Sequence, residues 1–506
     1  MKTSLLITGG LAFGAMTFAQ EKPNIIVILA DDLGFSDLGC YGGEVQTPVL
    51  DKMAKQGVRM TQMYNSARSC PSRANLLTGL YPHQTGLGHM DATRPAWPKG
   101  YAGFRSNSDN VTIAEVLKDA GYFTAMSGKW HLGKTANPIN RGFQEYYGLL
   151  GGFNSFWNPD VYTRLPKDRN PRQYKEGEFY ATNVITDYAI DFINQAHQEE
   201  KPLFLYLAYN AAHFPLHAPK EVTDKYMKIY LQGWDKIRDQ RWKRIVKMGL
   251  LQGKPALSPR GVVPESLFED ETHPLPAWDS LTKEQQTDLA RRMAIYAAMI
   301  DIMDTNIGRV LDTLQKNGEL DNTFIMFMSD NGACAEWHEF GFDKQTGTEY
   351  HTHVGAELDQ MGLPGTYHHY GTGWQTFVVP HLHFINIMRM KVEYPLLALS
   401  SGVNRLSTKA VLTINRHNSR ISWQLASNWQ GLNIPKNTKE ERLYLHRASQ
   451  SFLLYAVKKC RTVISMRNMK VIVWYAKVTG NWSLRILEVM NGNSIISKKT
   501  AQNNII

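Results

Sequence analysis

The chain has 506 residues, 43% of them hydrophobic and 20% charged, which is enough apolar surface for one large α/β domain plus a smaller unit without disulfide or metal staples. A net charge of +10 would ordinarily point to an acidic partner, but it is not spread along the chain: residues 375–506 hold 19 Lys and Arg against 4 Glu and no Asp (net +15), leaving 37 against 42 (net −5) in residues 1–374. That division excludes a single basic, nucleic-acid-binding protein, and Cys40, Cys70, Cys334 and Cys460 lack the spacing of a zinc site or a disulfide framework.

From the N-terminus, residues 1–19 combine Lys2, an apolar run from Leu5 to Phe18 and a small residue at Ala19, the pattern of a cleavable secretory signal peptide. A periplasmic or secreted protein is therefore expected. No later stretch reaches the roughly 20 apolar residues of a membrane span. Asn24 to Ala30 is a continuous Ile/Val-rich run, which predicts a strand buried on both faces of a parallel sheet, with Asp31 and Asp32 directly at its end. Pro159 to Tyr180 and Gly253 to Trp278 read as long loops. A second apolar run, Pro202 to Tyr209, leads to His213, and a third, Thr323 to Met328, leads to Asp330 and Asn331. Between them, apolar residues at helical spacing predict a core helix over Arg291 to Gln315. In open α/β sheets functional residues gather beyond the carboxyl ends of the strands, so these three strand ends are expected to share one crevice.

The segment Ser69-Cys70-Pro71-Ser72-Arg73-Ala74-Asn75-Leu76-Leu77-Thr78-Gly79 places a proline just inside a short helix, whose free N–H groups and dipole would favour an anion. Local pattern alone does not separate this from an ordinary proline-initiated helix. The segment resembles the signature of the sulfatase family: Cys or Ser, any residue, Pro-Ser-Arg, then Thr-Gly. Because Pro71 stands two residues after the modified position, the resemblance assigns that position to Ser69 and leaves Cys70 in the variable slot. It implies oxidation of Ser69 to formylglycine by a dedicated maturase. Further elements follow in family order. Asp31, Asp32, Asp330 and Asn331, with Ser69, match the ligands of a divalent cation, usually Ca2+, with Mg2+ the alternative. Lys129 and His131 in Gly128-Lys129-Trp130-His131-Leu132-Gly133 match a Lys-x-His element, and His213 matches a second histidine.

The resemblance implies an alkaline-phosphatase-like α/β fold, with a large mixed, mostly parallel sheet between helices, and hydrolysis of sulfate monoesters on glycans or aryl groups. A hydroxyl of the formylglycine hydrate at position 69 would attack sulfur, with Arg73 and Lys129 neutralising charge. His213 would protonate the leaving alcohol, and His131 would take the proton as sulfate departs. Taken singly, Asp31 and Asp32 read equally as a solvated strand end, and His213 as a structural histidine. A phosphomonoesterase or phosphodiesterase of the same superfamily using unmodified Ser69 is a second reading. An inactive gene product is a third. Trp157, Tyr162, His338, Tyr350 and His351 lie on loops that suit either a sugar or aryl group or simple packing.

The likeness runs through Gly362-Leu363-Pro364-Gly365-Thr366-Tyr367-His368-His369-Tyr370 and stops after Trp374. The family's Thr-Pro-Phe segment, its further lysine and its Glu-Gly-Gly turn into a last core strand are missing. Read from the third base of each codon, Phe384 to Pro395 permits Tyr-Lys-His-Asn-Glu-Asp-Glu-Gly-Gly-Ile-Pro, the missing segment. Asn468 to Trp482 likewise permits a match to the family's C-terminal subdomain. The sequence therefore divides into a signal peptide (1–19), a catalytic domain incomplete at its C-terminal edge (20–374) and a tail (375–506) expected to be frameshifted by one lost base and to lack that compact subdomain.

Overall fold

The computed structural model describes residues 22–378, apart from residue 62 and stretches within 91–109, 134–135, 251–271, 335–337 and 346–348; beyond these it describes the backbone of short strands between 393 and 501. The expected signal peptide lies outside the described residues.

A mixed, mostly parallel sheet is built from β1 (Asn24–Ala30), β2 (Val58–Arg59), β3 (Phe123–Gly128), β4 (Glu145–Gly148), β5 (Thr163–Leu165), β6 (Leu203–Ala208), β7 (Thr323–Ser329) and β8 (Leu397–Ala398). Its order is β2-β8-β7-β1-β6-β3-β4-β5. The five strands from β7 to β4 are parallel; β5 pairs antiparallel at one edge, and β8 pairs antiparallel with both β7 and the edge strand β2 at the other. The three strands expected from apolar runs are present, with β6 one residue shorter at each end than Pro202 to Tyr209.

All seven residues of β1 are buried, and its side chains alternate between two cores. Ile26, Ile28 and Ala30 join the helices α2 (Ala181–Gln198) and α3 (Lys283–Lys316) on one face. Ile25, Val27 and Leu29 join Cys70, Ala74 and Leu77 of α1 (Ser69–Thr78), with Met126 and Trp130, on the other. Helices on both faces of a parallel sheet are the sequence's double burial expressed in three layers. Each such side chain, fully buried, is worth about 1.5–3 kcal/mol.

α3 begins eight residues before the expected Arg291, because Thr282 and Gln285 form a reciprocal capping box at its start. The Pro159 to Tyr180 loop is corrected at one point: it contains a turn, Pro159–Val161, and then β5, which pairs with β4. Most of Gly253 to Trp278 lies outside the described residues, although Val262–Pro264 pairs with Thr272–Pro274 as a short hairpin.

The tail expectation falls mostly on residues outside those described. At the sheet edge expected to lose a strand, β8 occupies two residues between β7 and β2. In a separate unit, residues 434–506, the backbone of Ile464–Ser465, Lys470–Ala476, Trp482–Met490 and Ser494–Ala501 pairs as a four-stranded antiparallel sheet. Among the described residues no helix is long and apolar enough to cross a membrane.

Trp374, where the family likeness stops, is fully buried against Tyr230, Trp234 and Trp278, with ring centroids 5.3–5.7 Å away. Its indole N–H donates to the Leu289 carbonyl at 2.8 Å. Trp374→Ala is therefore expected to destabilise the domain by about 3–5 kcal/mol, read as a lower urea midpoint; a midpoint unchanged from wild type would contradict this packing.

Candidate active site

Four loops at the carboxyl edge of the sheet deliver the site. Asp31 and Asp32 follow β1, Lys129 and His131 follow β3, His213 follows β6, and Asp330 and Asn331 follow β7. The turn after β1 is fixed by backbone bonds, Asp31 N–H to the Ala211 carbonyl (2.9 Å) and Ala212 N–H to the Asp31 carbonyl (2.7 Å). Asp32 and His131 both adopt positive φ (56° and 52°), a costly conformation for residues with a Cβ and one that is concentrated at functional sites. Gly128 brings β3 against β6 closely enough that a Cβ there would lie 1.8 Å from the Ala208 carbonyl oxygen. Lys129 N–H then bonds that same carbonyl at 2.7 Å. Trp130 turns into the core between Phe104 and Phe143, while Lys129 and His131 face the site.

Ser69 is the first residue of α1, and Arg73 stands one turn later on the same face. Arg73 Nε donates to Ser69 Oγ at 2.9 Å and to Asp330 Oδ2 at 3.1 Å; Nη2 donates to Asp330 Oδ2 at 2.9 Å, and Nη1 to the Lys129 carbonyl at 2.9 Å. Lys129 Nζ donates to Asp31 Oδ2 at 2.5 Å. His131 Nδ1 lies 3.4 Å from Ser69 Oγ. Asn331 Nδ2 is 2.5 Å from Asp32 Oδ1, and Asp32 N–H is 3.4 Å from Asp330 Oδ1. The nine residues that the resemblance assigns to the site, with His213 included by its approach to Asp32, therefore meet in one centre.

Burial sets the electrostatics. Arg73, Lys129, Asp31 and Asp330 are essentially inaccessible to water. Burial and then the neighbouring Asp31 carboxylate push Asp330 above the usual carboxylate range, against the pull of Arg73 and Lys129. Burial, followed by the charges of Lys129, Arg73 and His213, holds His131 well below the usual imidazole range, so it is a neutral base beside Ser69. His213 Nδ1 donates to the Phe214 carbonyl at 2.6 Å, which turns Nε2 toward Asp32 Oδ2, 3.6 Å away. That approach is favourable only with a proton on Nε2 or a cation between the two groups.

The donor set suits a hard divalent cation. Ligand atoms of Asp31, Asp32 and His213 lie within 4.8 Å of one another. Asp31 Oδ1 is buried with no hydrogen-bond partner, its nearest cation being Arg73 Nη2 at 3.4 Å. Three carboxylates outnumber the two cations Arg73 and Lys129, and a shared oxygen-rich cavity of this kind is what Ca2+ or Mg2+ requires. Asn331 would present its oxygen after reversal of its amide, an orientation that heavy-atom positions do not fix. A second cluster, Asp343, His353 and His368, carries its own counter-ion: Arg292 Nη2 lies 2.7 Å from Asp343 Oδ1 and its Nε 2.8 Å from Asp288 Oδ2.

Sequence reasoning missed the support behind Asp32. The Tyr296 hydroxyl lies 3.0 Å from the Asp32 carbonyl oxygen and 2.6 Å from Asp37 Oδ2. Arg241 in turn bonds Asp37 at 2.7 Å and Glu44 at 2.6–2.7 Å. Asp37 falls in the turn after Asp32, which was the available signal. The loop aromatics are mostly packed. Tyr162 is buried and accepts from Asn210, Trp157 Nε1 donates to the Gly362 carbonyl, and the Tyr350 hydroxyl donates to Asp288. His351 is exposed and pairs with Glu357.

The chain belongs to the sulfatase family, whose model matches residues 23–360. An arylsulfatase of Klebsiella aerogenes is 36% identical over 376 residues, 72% of this chain and 77% of that protein. An uncharacterized sulfatase of Schizosaccharomyces pombe is 39% identical over 337 residues, and the N-acetylgalactosamine-6-sulfatase of Rattus norvegicus 30% over 333; both matches cover 62% of this chain but only 58% and 51% of the relatives. Among solved structures, one in complex with its substrate D-glucosamine-2-N,6-O-disulfate has a TM-score of 0.49 at 19% identity, covering 95% of this chain and 91% of that one.

A cation bound only by the folded site stabilises it by mass action, about 2.7 kcal/mol at one hundred times its dissociation constant. Thermal unfolding with Ca2+ against chelator is expected to show that rise for the wild type and to lose it in Asp32→Ala. Equal midpoints for the wild type in both conditions would contradict a cation site here.

Proposed function

We propose that this protein is a sulfuric ester hydrolase cleaving sulfate monoesters of glycans or aryl alcohols. The observation that carries this reading is Ser69 Oγ, held between Arg73 Nε at 2.9 Å and neutral His131 at 3.4 Å inside a buried charged centre. The names of the relatives, arylsulfatase and N-acetylgalactosamine-6-sulfatase, support the substrate class.

The ester's sulfur is shielded by negative oxygens, so attack requires cationic neutralisation. Asp31, Asp32, Asp330 and Asn331 would hold Ca2+, which when bound supplies further positive charge to the ester oxygens. Formylglycine at position 69, made by a maturase in the producing cell, supplies in its hydrated form a hydroxyl nucleophile and a second hydroxyl whose loss of a proton releases sulfate. Arg73 orients that side chain and counters the charge building beside it. Lys129, pinned by Asp31, neutralises the sulfate oxygens. His213 donates the proton to the departing alcohol from Nε2, the nitrogen left free by its bond to the Phe214 carbonyl. His131, kept neutral, accepts the proton from position 69.

Export through the N-terminal segment is part of the same proposal, as is the loss of one base near the codon of Trp374. The change of charge between Asp359 and Arg389, which bracket that codon, and the end of the family match at residue 360 support the latter. The shift removes the lysine expected near the leaving oxygen, and one such contact is worth about 2.7–4 kcal/mol in the transition state. One experiment tests the hydrolase reading and the frameshift together. The chain as written and a version with one base restored are co-expressed with a serine-type maturase, and hydrolysis of an aryl sulfate is compared. The restored protein is expected to turn over, to lose two hydrogens at Ser69 by mass spectrometry, to be silenced by Ser69→Ala and to keep most activity in Cys70→Ala. Loss of activity on changing Cys70 alone would overturn the register; an unrestored chain as active as the restored one would overturn the frameshift.

A further inference from the structure

We infer that Phe153 selects a ring-bearing alcohol as the leaving group, an aryl or pyranose ring rather than an open alkyl chain, an inference that rests on the hydrolase reading above. Among the described residues Phe153 is one of the few large apolar side chains left open to water, at 40% relative exposure. It does not stand alone on the surface. Its ring lies nearly parallel to the His213 imidazole, centroids 6.0 Å apart at 17°, and edge-on to Phe214 at 5.3 Å and 66°. Phe214 is in turn packed on Phe342 at 5.1 Å and Tyr367 at 6.2 Å, so the platform is backed by fixed aromatic rings.

The loop that carries it is seated on the other histidine of the site. A Cβ at Gly152 would lie 2.8 Å from His131 Nε2, so the backbone just before Phe153 lies directly against the His131 ring. The consequence is geometric. The alcohol oxygen must reach His213 Nε2 to receive its proton, and the carbon attached to that oxygen then leaves the charged centre past the ring stacked on His213. A flat aryl face, or the C–H face of a pyranose, covers that exposed ring, whereas a methyl group is too small to do so. The gain is independent of the sulfate contacts made by Lys129 and Arg73, so it belongs to leaving-group choice and not to sulfate recognition.

The test is equilibrium binding to the protein with its reading frame restored, expressed without a maturase so that Ser69 stays serine and no ester is turned over. Calorimetric titrations in Ca2+ compare phenyl sulfate, glucose 3-sulfate and methyl sulfate on the wild type, Phe153→Ala and Phe153→Tyr. The wild type is expected to hold at least one ring ester about three- to tenfold more tightly than methyl sulfate. Phe153→Ala is expected to remove that preference while leaving methyl sulfate unchanged, and Phe153→Tyr to retain it. Which ring ester loses more on Phe153→Ala distinguishes an aryl from a carbohydrate leaving group. Ring preference that survives Phe153→Ala, or equal weakening of methyl sulfate, overturns the inference while leaving the hydrolase reading intact. A wild type that binds none of the three esters overturns the hydrolase reading and this inference with it.

Discussion

Asp31, Asp32 and Asp330 crowd one buried pocket, and the guanidinium of Arg73 and the ammonium of Lys129 are bonded directly into it. Burying charge costs several kcal/mol per ion unless partners restore what water supplied, so each member of this cluster constrains the others. Arg73 can lie at the bottom of the site only because Asp330 accepts two of its donors, and Asp330 is in position only because its backbone N–H bonds the Ala30 carbonyl at the end of β1. The strand register, the start of α1 and the positive φ of Asp32 and His131 all serve this one arrangement. Three carboxylates share the pocket with two cationic side chains, and Asp31 Oδ1 is left without a hydrogen bond.

Much of this was legible in the sequence because the strands are buried on both faces. Runs such as Asn24 to Ala30 and Thr323 to Ser329 tolerate few polar residues, so the first Asp or Asn after each marks the strand end, and strand ends of a parallel sheet converge. Ser69 and Arg73 were legible by another route, the likeness of Ser69 to Gly79 to the sulfatase signature, since local pattern alone left that segment an ordinary proline-initiated helix. The features that escaped have equally physical reasons. β5 is three residues long, too short for alternation to show, and the start of α3 is set by a capping box instead of by apolar spacing. Arg241 and Asp37 are 204 residues apart, and no local pattern announces a pair at that separation. Whether Tyr162, Trp157 or Phe153 faces water is decided by tertiary packing: the first two are engaged by Asn210 and Gly362, and Phe153 alone among them stands exposed beside His213.

The proposed C-terminal boundary lies beside a packed aromatic cluster. Trp374 is among the largest fully buried side chains of the domain, closing an aromatic cluster with Trp234 and Trp278. A chain selected to fold does not ordinarily change composition directly after a residue of that kind, since its neighbours in sequence share its environment and its selection. The last charged residue before Trp374 is Asp359 and the first after it is Arg389, so the change from net −5 to net +15 falls within the uncharged stretch that contains Trp374.

The central claim is that this buried centre acts on sulfate monoesters through Ser69. Its most direct test is a comparison of kcat/KM for p-nitrophenyl sulfate and p-nitrophenyl phosphate, which share a leaving group, using the matured protein with its reading frame restored. The account predicts that the sulfate is the preferred ester and that its turnover depends on maturation of Ser69. Preference for the phosphate, with equal activity in protein whose Ser69 was never modified, would contradict it and identify a phosphoesterase built on the same sheet.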